Sequence, residues 1–191
     1  SIVNPIGEIL ENTKIHPHTV TIAGFLFSIL SGLFFWNGRF VLGGISLILS
    51  GVCDVLDGRQ ARKTSQMTKF GALFDSTIDR YSEIAAFIGI MAYYHSTLVS
   101  LTIVMAIAGS LLTSYVRARA EGLNIECKTG LMQRPERITF ISVGAIIGPL
   151  IDKLFQTHDL LMVIALVAIA ILSNITVVQR VMYVRAKLNS E

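Results

Sequence analysis

Asp54 and Asp57 close one long apolar run of the sequence, and Asp75 and Asp79 open the next. A carboxylate at membrane depth costs about 2.5–3.5 kcal/mol on insertion scales, so acids in such runs need a partner. The first two are three residues apart and the second two are four apart, spacings that put each pair on one helix face. A short connection makes the two helices antiparallel neighbours. Both pairs lie at the connected ends, so they can converge. Like charges in one pocket repel: two carboxylates at 4 Å cost about 4 kcal/mol at an effective dielectric of 20. Hard oxygen ligands in this number call for Mg²⁺ or Mn²⁺, as one ion or two.

The surroundings of the acids suit a diphosphate. Gly58 and Ala61 share the side of the helix that carries Asp54, and Gly71 precedes Asp75 by one turn. Small residues let a ligand approach the backbone closely. Arg62 follows on the same helix, and a guanidinium is the side chain suited to phosphate oxygens. A competing reading is a structural ion-pair network in which Arg62 and Arg80 neutralise the acids. Such a network has no use for a row of small residues beside the carboxylates.

The elements that must position these residues are membrane spans. The chain has 191 residues, of which 52% are hydrophobic and 15% charged, and its mean hydropathy is +0.63. Those values exclude an ordinary soluble domain and point to an all-α polytopic membrane protein forming one domain over residues 1–191. Residues 1–15 are too polar to span and read as an amphipathic helix lying in the interface, with Asn4 and Pro5 at its start. Residues 16–191 then form a six-helix bundle. Its spans are expected near Thr19–Trp36, Phe40–Leu56 with a polar continuation through Lys63, Phe70–Tyr94, Leu98–Tyr115, Ile138–Phe155 and Leu160–Val178. Pro149 is expected to bend the fifth.

Charge placement agrees with an even number of spans. Of the 16 Lys and Arg residues, only Arg39 and Lys153 fall near the turns after spans one and five. The others flank the opposite ends, which places both termini and both basic loops in the cytoplasm of a cell-membrane protein. Cys53 and Cys127 lack metal-ligand spacing and read as packing residues. A nucleic-acid partner is not expected.

The run from Asp54 to Asp79, DVLDGRQARKTSQMTKFGALFDSTID, resembles the signature of the CDP-alcohol phosphotransferase family. Asp54, Asp57, Gly58, Ala61, Arg62, Gly71, Asp75 and Asp79 all stand at that signature's positions. The resemblance implies a six-span homodimeric enzyme of phospholipid synthesis with an amphipathic N-terminal helix. It implies that Asp54, Asp57, Asp75 and Asp79 hold the metal. Asp54, Gly58, Ala61, Arg62, Gly71 and Asp75 would contact the CDP part of CDP-diacylglycerol or a related CDP-lipid. Asp79 would be the general base that takes the proton of the acceptor hydroxyl as CMP is expelled. The family often has Pro-Asn or Pro-Asp at the start of span one; here Pro17-His18 stands there.

The acceptor is read from the remaining polar groups. Ser114, Arg117 and Arg119 end span four, Arg134 and Arg137 precede span five, and Arg180 ends span six. Arginines from several helix ends suit a phosphorylated polyol. The patterns SYVRARAE, RPER and VVQR resemble the phosphatidylinositol-phosphate synthase branch of the family. That resemblance implies inositol 1-phosphate as acceptor, its phosphate bound by Ser114, Arg117, Arg134 and Arg180. Glycerol 3-phosphate is the rival anionic acceptor, as in a phosphatidylglycerol-phosphate synthase. Outside the family, a prenyltransferase would need more spans, and an intramembrane cation transporter would carry its acids near the midplane on broken helices.

Overall fold

The computed structural model describes residues 17–63 and 68–189, with the side chains of residues 17 and 59–63 left aside. The interfacial helix expected over 1–15 lies outside the described residues. Among those described, all regular structure is helical: α1 (Pro17–Trp36), α2 (Phe40–Lys63), α3 (Lys69–Tyr93), α4 (Thr97–Glu121), α5 (Arg134–Phe155) and α6 (Leu160–Leu188). Two compact units divide the chain, Ser1–Tyr93 and Tyr94–Glu191.

In the first unit α1 ends in a Schellman motif. Gly38 takes φ +71°, its N–H donates to Phe35 O at 2.9 Å, and the Arg39 N–H donates to Phe34 O at 2.8 Å. A side chain would resist that φ, and a Cβ would also lie 3.0 Å from the Tyr93 ring. The turn sends α2 back along α1. Phe35 is fully buried against Gly43, whose carbonyl accepts from Ser31 Oγ at 2.8 Å. Further along, a Cβ on Gly24 would lie 2.9 Å from Cys53 Cβ. On its other side α1 meets α3 backbone to backbone: a Cβ on Gly89 would overlap Gly32 O. Small residues allow such approach where lipid supplies no hydrophobic drive between helices.

This packing corrects one expectation. α2 and α3 touch each other only sparsely; each lies along α1. Their joined ends still converge, and the acids sit there.

In the second unit α4 and α5 both pack on α6. Asn174 on α6 donates to Met105 O at 3.1 Å and Ala170 O at 2.8 Å, against Gly109 of α4. α4 runs six residues beyond the expected Tyr115, and in that extension Arg117 and Glu121 pair at 3.0 Å one turn apart. α5 begins at Arg134, ahead of the expected Ile138. A capping box starts it: Glu136 Oε2 accepts from the Gln133 N–H at 3.0 Å, and the Gln133 side chain accepts from the Glu136 N–H. The charged connection therefore shrinks to residues 122–133. Pro149 lies inside α5, which continues to Phe155.

Among the described residues, five helices are long and apolar enough to cross a membrane: α1 from His18, α2 to Gly58, α4, α5 and α6. Large apolar side chains such as Leu98, Leu150 and Leu154 are more exposed than covered, as lipid-facing residues are. The protein is a multi-pass membrane protein.

Candidate functional site

α2 is one continuous helix through Lys63, so Asp54, Asp57, Gly58 and Ala61 form a stripe along its last turns. The side chains of Ala61 and Arg62 fall outside those described. On α3, Gly71, Asp75 and Asp79 form the matching stripe. Thr68 caps α3, its Oγ1 accepting from the Gly71 N–H at 2.9 Å.

Carboxylate oxygens of Asp54, Asp57 and Asp75 come within 4.8 Å of one another. Asp79, one turn further along α3, is not part of that group. Asp57 is the most deeply placed, 4% exposed. Its Oδ2 accepts from Thr21 Oγ1 of α1 at 2.6 Å. Its Oδ1 is buried and accepts no hydrogen bond among the described residues. A buried carboxylate oxygen without a donor carries a desolvation cost that a cation removes. Three converging carboxylates, one with such an oxygen, can hold a divalent metal, and an all-oxygen set suits a hard ion. Arg80 does not stand in for it through its Nη1, which donates to the Ser76 carbonyl of its own helix.

α1 contributes more to this region than its sequence suggests. His18 packs edge-on to Phe74 at 5.4 Å between ring centroids. A Cβ on Gly71 would lie 3.4 Å from its Cε1. His18 and Thr21 are three residues apart and share the face of α1 turned to the acids. The HPHTVT segment carried only a weak signal of this, the Pro-His where the family often has Pro-Asn or Pro-Asp.

In the second unit, Arg180 is 2% exposed. Its Nε donates to Thr129 O at 2.8 Å and its Nη1 to Thr113 O at 2.7 Å. Neutral carbonyls leave its charge intact. The 122–133 connection is laid onto α6 at the same place. The Met132 N–H donates to Thr176 Oγ1 at 3.0 Å, and Gly130, at φ +130°, passes so close to Thr176 that a Cβ would overlap its methyl. Arg137 is equally buried, 2% exposed, and its Nη1 reaches Met132 O at 3.4 Å. The sequence offers Arg137 only as a residue preceding the fifth span; its burial makes it a second guanidinium of this region. Arg134 and Ser114 are half-buried. Arg117 is exposed and engaged with Glu121. Lys128 pairs with Glu126 in the connection and holds that carboxyl below its usual range.

Converging carboxylates in the first unit and buried guanidinium groups in the second are the notable charged features of this multi-pass membrane protein. Residues 14–171 match the CDP-alcohol phosphatidyltransferase family, and the chain belongs to it. It is therefore a transferase of substituted phosphate groups. It is 38% identical over 183 residues to an archaetidylinositol phosphate synthase of Methanothermobacter thermautotrophicus, covering 96% of this chain and 90% of that one. It is 34% identical over 190 residues to a phosphatidylinositol phosphate synthase of Mycobacteroides abscessus, covering 96% and 84%. The fold is similar to that of Mycobacterium tuberculosis phosphatidylinositol phosphate synthase with CDP-DAG bound, with a TM-score of 0.82, 30% identity and coverage of 96% and 93%. A second structure of that enzyme, in complex with manganese and citrate, also matches with a TM-score of 0.82 at 30% identity, covering 95% and 88%.

Proposed function

We propose that the protein transfers a lipid-phosphate group from a CDP-linked lipid to inositol 1-phosphate and releases CMP. The observation that carries this reading is the convergence of Asp54, Asp57 and Asp75 in a chain similar, over most of their length, to an archaetidylinositol phosphate synthase and a phosphatidylinositol phosphate synthase. Asp54, Asp57 and Asp75 hold Mg²⁺ or Mn²⁺, as one ion or two, with Asp79 bordering the site. When bound, the metal offsets charge on the diphosphate and on the departing phosphate. Gly58, Ala61 and Gly71 leave room for the CDP moiety, and Arg62 supplies donors to its phosphates. Asp79 accepts the proton of the acceptor hydroxyl while that oxygen bonds to the β-phosphorus. The bond from the β-phosphorus to the bridging oxygen breaks, and CMP carries that oxygen away.

Arg180 and Arg134, with Ser114 and Arg117, bind the acceptor phosphate, and the burial of Arg137 adds it to this set. A guanidinium satisfied only by carbonyls, as Arg180 is, keeps donors and full charge for a dianion. The family match runs through both compact units, which supports one catalytic domain over 1–191. We take α3 as the sixth span: it has 25 residues, about 37 Å at 1.5 Å per residue, and no charged residue follows Glu83 in it. An interfacial helix before α1, a homodimer, and an active site and termini facing the cytoplasm complete the reading. The first two rest on the family resemblance and the last on the basic ends and loops.

The test is CMP release by the purified protein with CDP-diacylglycerol and, separately, its ether-linked counterpart. Inositol 1-phosphate, glycerol 3-phosphate, inositol and serine are offered as acceptors. Turnover is expected with inositol 1-phosphate. Preference for glycerol 3-phosphate would reassign the acceptor, and metal-driven ion flux in liposomes without CMP release would point to a transporter.

A further inference from the structure

Thr21 stands on α1, outside the aspartate signature, yet its hydroxyl holds the Asp57 carboxylate of α2. Its Oγ1 donates to Asp57 Oδ2 at 2.6 Å, across 36 residues of sequence. Both residues are buried, at 7% and 4% exposure. The close approach of α1 and α2 makes this contact possible. Gly24 lies one turn from Thr21, Cys53 lies one turn from Asp57, and the two meet so tightly that a Cβ on Gly24 would fall 2.9 Å from Cys53 Cβ.

We propose that Thr21 is a positioning residue for the metal site. By holding Oδ2 from a separate helix, it fixes the Asp57 side chain in one orientation and leaves the buried, unpartnered Oδ1 for the ion. A hydroxyl is suited to this task. It satisfies one carboxylate oxygen without bringing a positive charge that would compete with a cation, as Lys or Arg would. Partners of ligating carboxylates commonly set metal affinity in this way. The proposal rests on the reading of Asp54, Asp57 and Asp75 as metal ligands.

The test uses the full chain in detergent and Mn²⁺ alone as the probe, with free Mn²⁺ followed by its paramagnetic resonance signal. Thr21→Val keeps the shape and deletes the donor; Thr21→Ser keeps the donor. Thr21→Val is expected to raise the Mn²⁺ Kd about 10-fold or more, as removal of such a partner typically does, while Thr21→Ser stays near wild type. CMP release by Thr21→Val should recover at saturating Mn²⁺, so the loss appears in the metal requirement and little in kcat. A packing role would lower kcat at every metal concentration. Thr21→Ala repeats the measurement if the valine variant shows no melting transition. Wild-type Mn²⁺ affinity in the donorless variants, or equal weakening in Thr21→Ser, overturns the proposal while leaving the metal site standing. If wild type shows no saturable Mn²⁺ binding that Asp57→Asn removes, the metal reading itself fails and takes the proposal with it.

Discussion

The two compact units face opposite electrostatic problems and solve them differently. The first brings Asp54, Asp57 and Asp75 together and leaves Asp57 Oδ1 buried with no donor among the described residues. The second buries a guanidinium, Arg180, and satisfies it with the carbonyls of Thr129 and Thr113. One arrangement could be completed by a cation. The other is complete as a fold and still carries an unneutralised charge. The difference separates residues whose removal costs only chemistry from residues whose removal costs chemistry and folding together.

Asp75→Asn puts the strongest strain on this comparison. Loss of a metal ligand removes several kcal/mol of transition-state charge stabilisation, so CMP release should fall at least about 10³-fold. Because the mutation also relieves repulsion among crowded carboxylates, the melting temperature of the metal-free protein should hold or rise. A clear drop would mean that the acids are a structural network after all.

Asp79→Asn separates base from ligand. Its carboxylate lies outside the group that closes within 4.8 Å. The variant should keep most of its Mn²⁺ affinity and lose about 10²–10⁴-fold in turnover, the range for removal of a general base. Equal losses in affinity and turnover would return Asp79 to the metal shell.

The units also differ in how far their sequence discloses them. In the first, Asp54, Asp57, Gly58 and Ala61, and then Gly71, Asp75 and Asp79, fall at helical spacing, so periodicity alone places each set on one face. The part of α1 was hidden. Whether Thr21 and His18 turn toward the acids depends on the rotation of α1, set by Gly24 against Cys53 and Gly32 against Gly89, contacts between distant residues. The same packing puts α1 against both acid-bearing helices, where chain order suggested that α2 and α3 lie side by side. In the second unit charge was misleading. Arg117–Arg137 read as a loop because charged residues leave the membrane. Yet Arg117 and Glu121 extend α4, the Gln133–Glu136 box starts α5, and Arg137 is buried. Leaving the bilayer and leaving the helix are different events.

Arg180→Gln tests the second half of the comparison. A hydrogen bond to a charged group contributes about 1.5–3 kcal/mol, so KM for inositol 1-phosphate should rise roughly 10–150-fold. KM for the CDP-lipid should change little. Stability should also fall, since the bonds to Thr129 and Thr113 go with the guanidinium. Equal effects on both substrates would reject a distinct acceptor pocket.

Asp152 supplies the control, an acid of the second unit whose oxygens are all spoken for. Its Oδ1 accepts from Thr157 Oγ1 at 2.7 Å and from the Leu160 N–H at 3.2 Å, and its Oδ2 accepts from the Asp159 N–H at 2.8 Å. It thus caps the start of α6 from the end of α5. Asp159, the residue before α6, makes no side-chain cap of its own and sits at φ +53°. Asp152→Ala leaves those donors without it and should lower the melting temperature, as loss of a helix cap does. Asp152→Asn keeps one carbonyl oxygen and should cost less. Neither should alter Mn²⁺ affinity or CMP release at a temperature where the fold persists. A loss of activity in Asp152→Asn without a loss of melting temperature would show that this carboxylate, too, serves the chemistry, and that the contrast between the units is drawn in the wrong place.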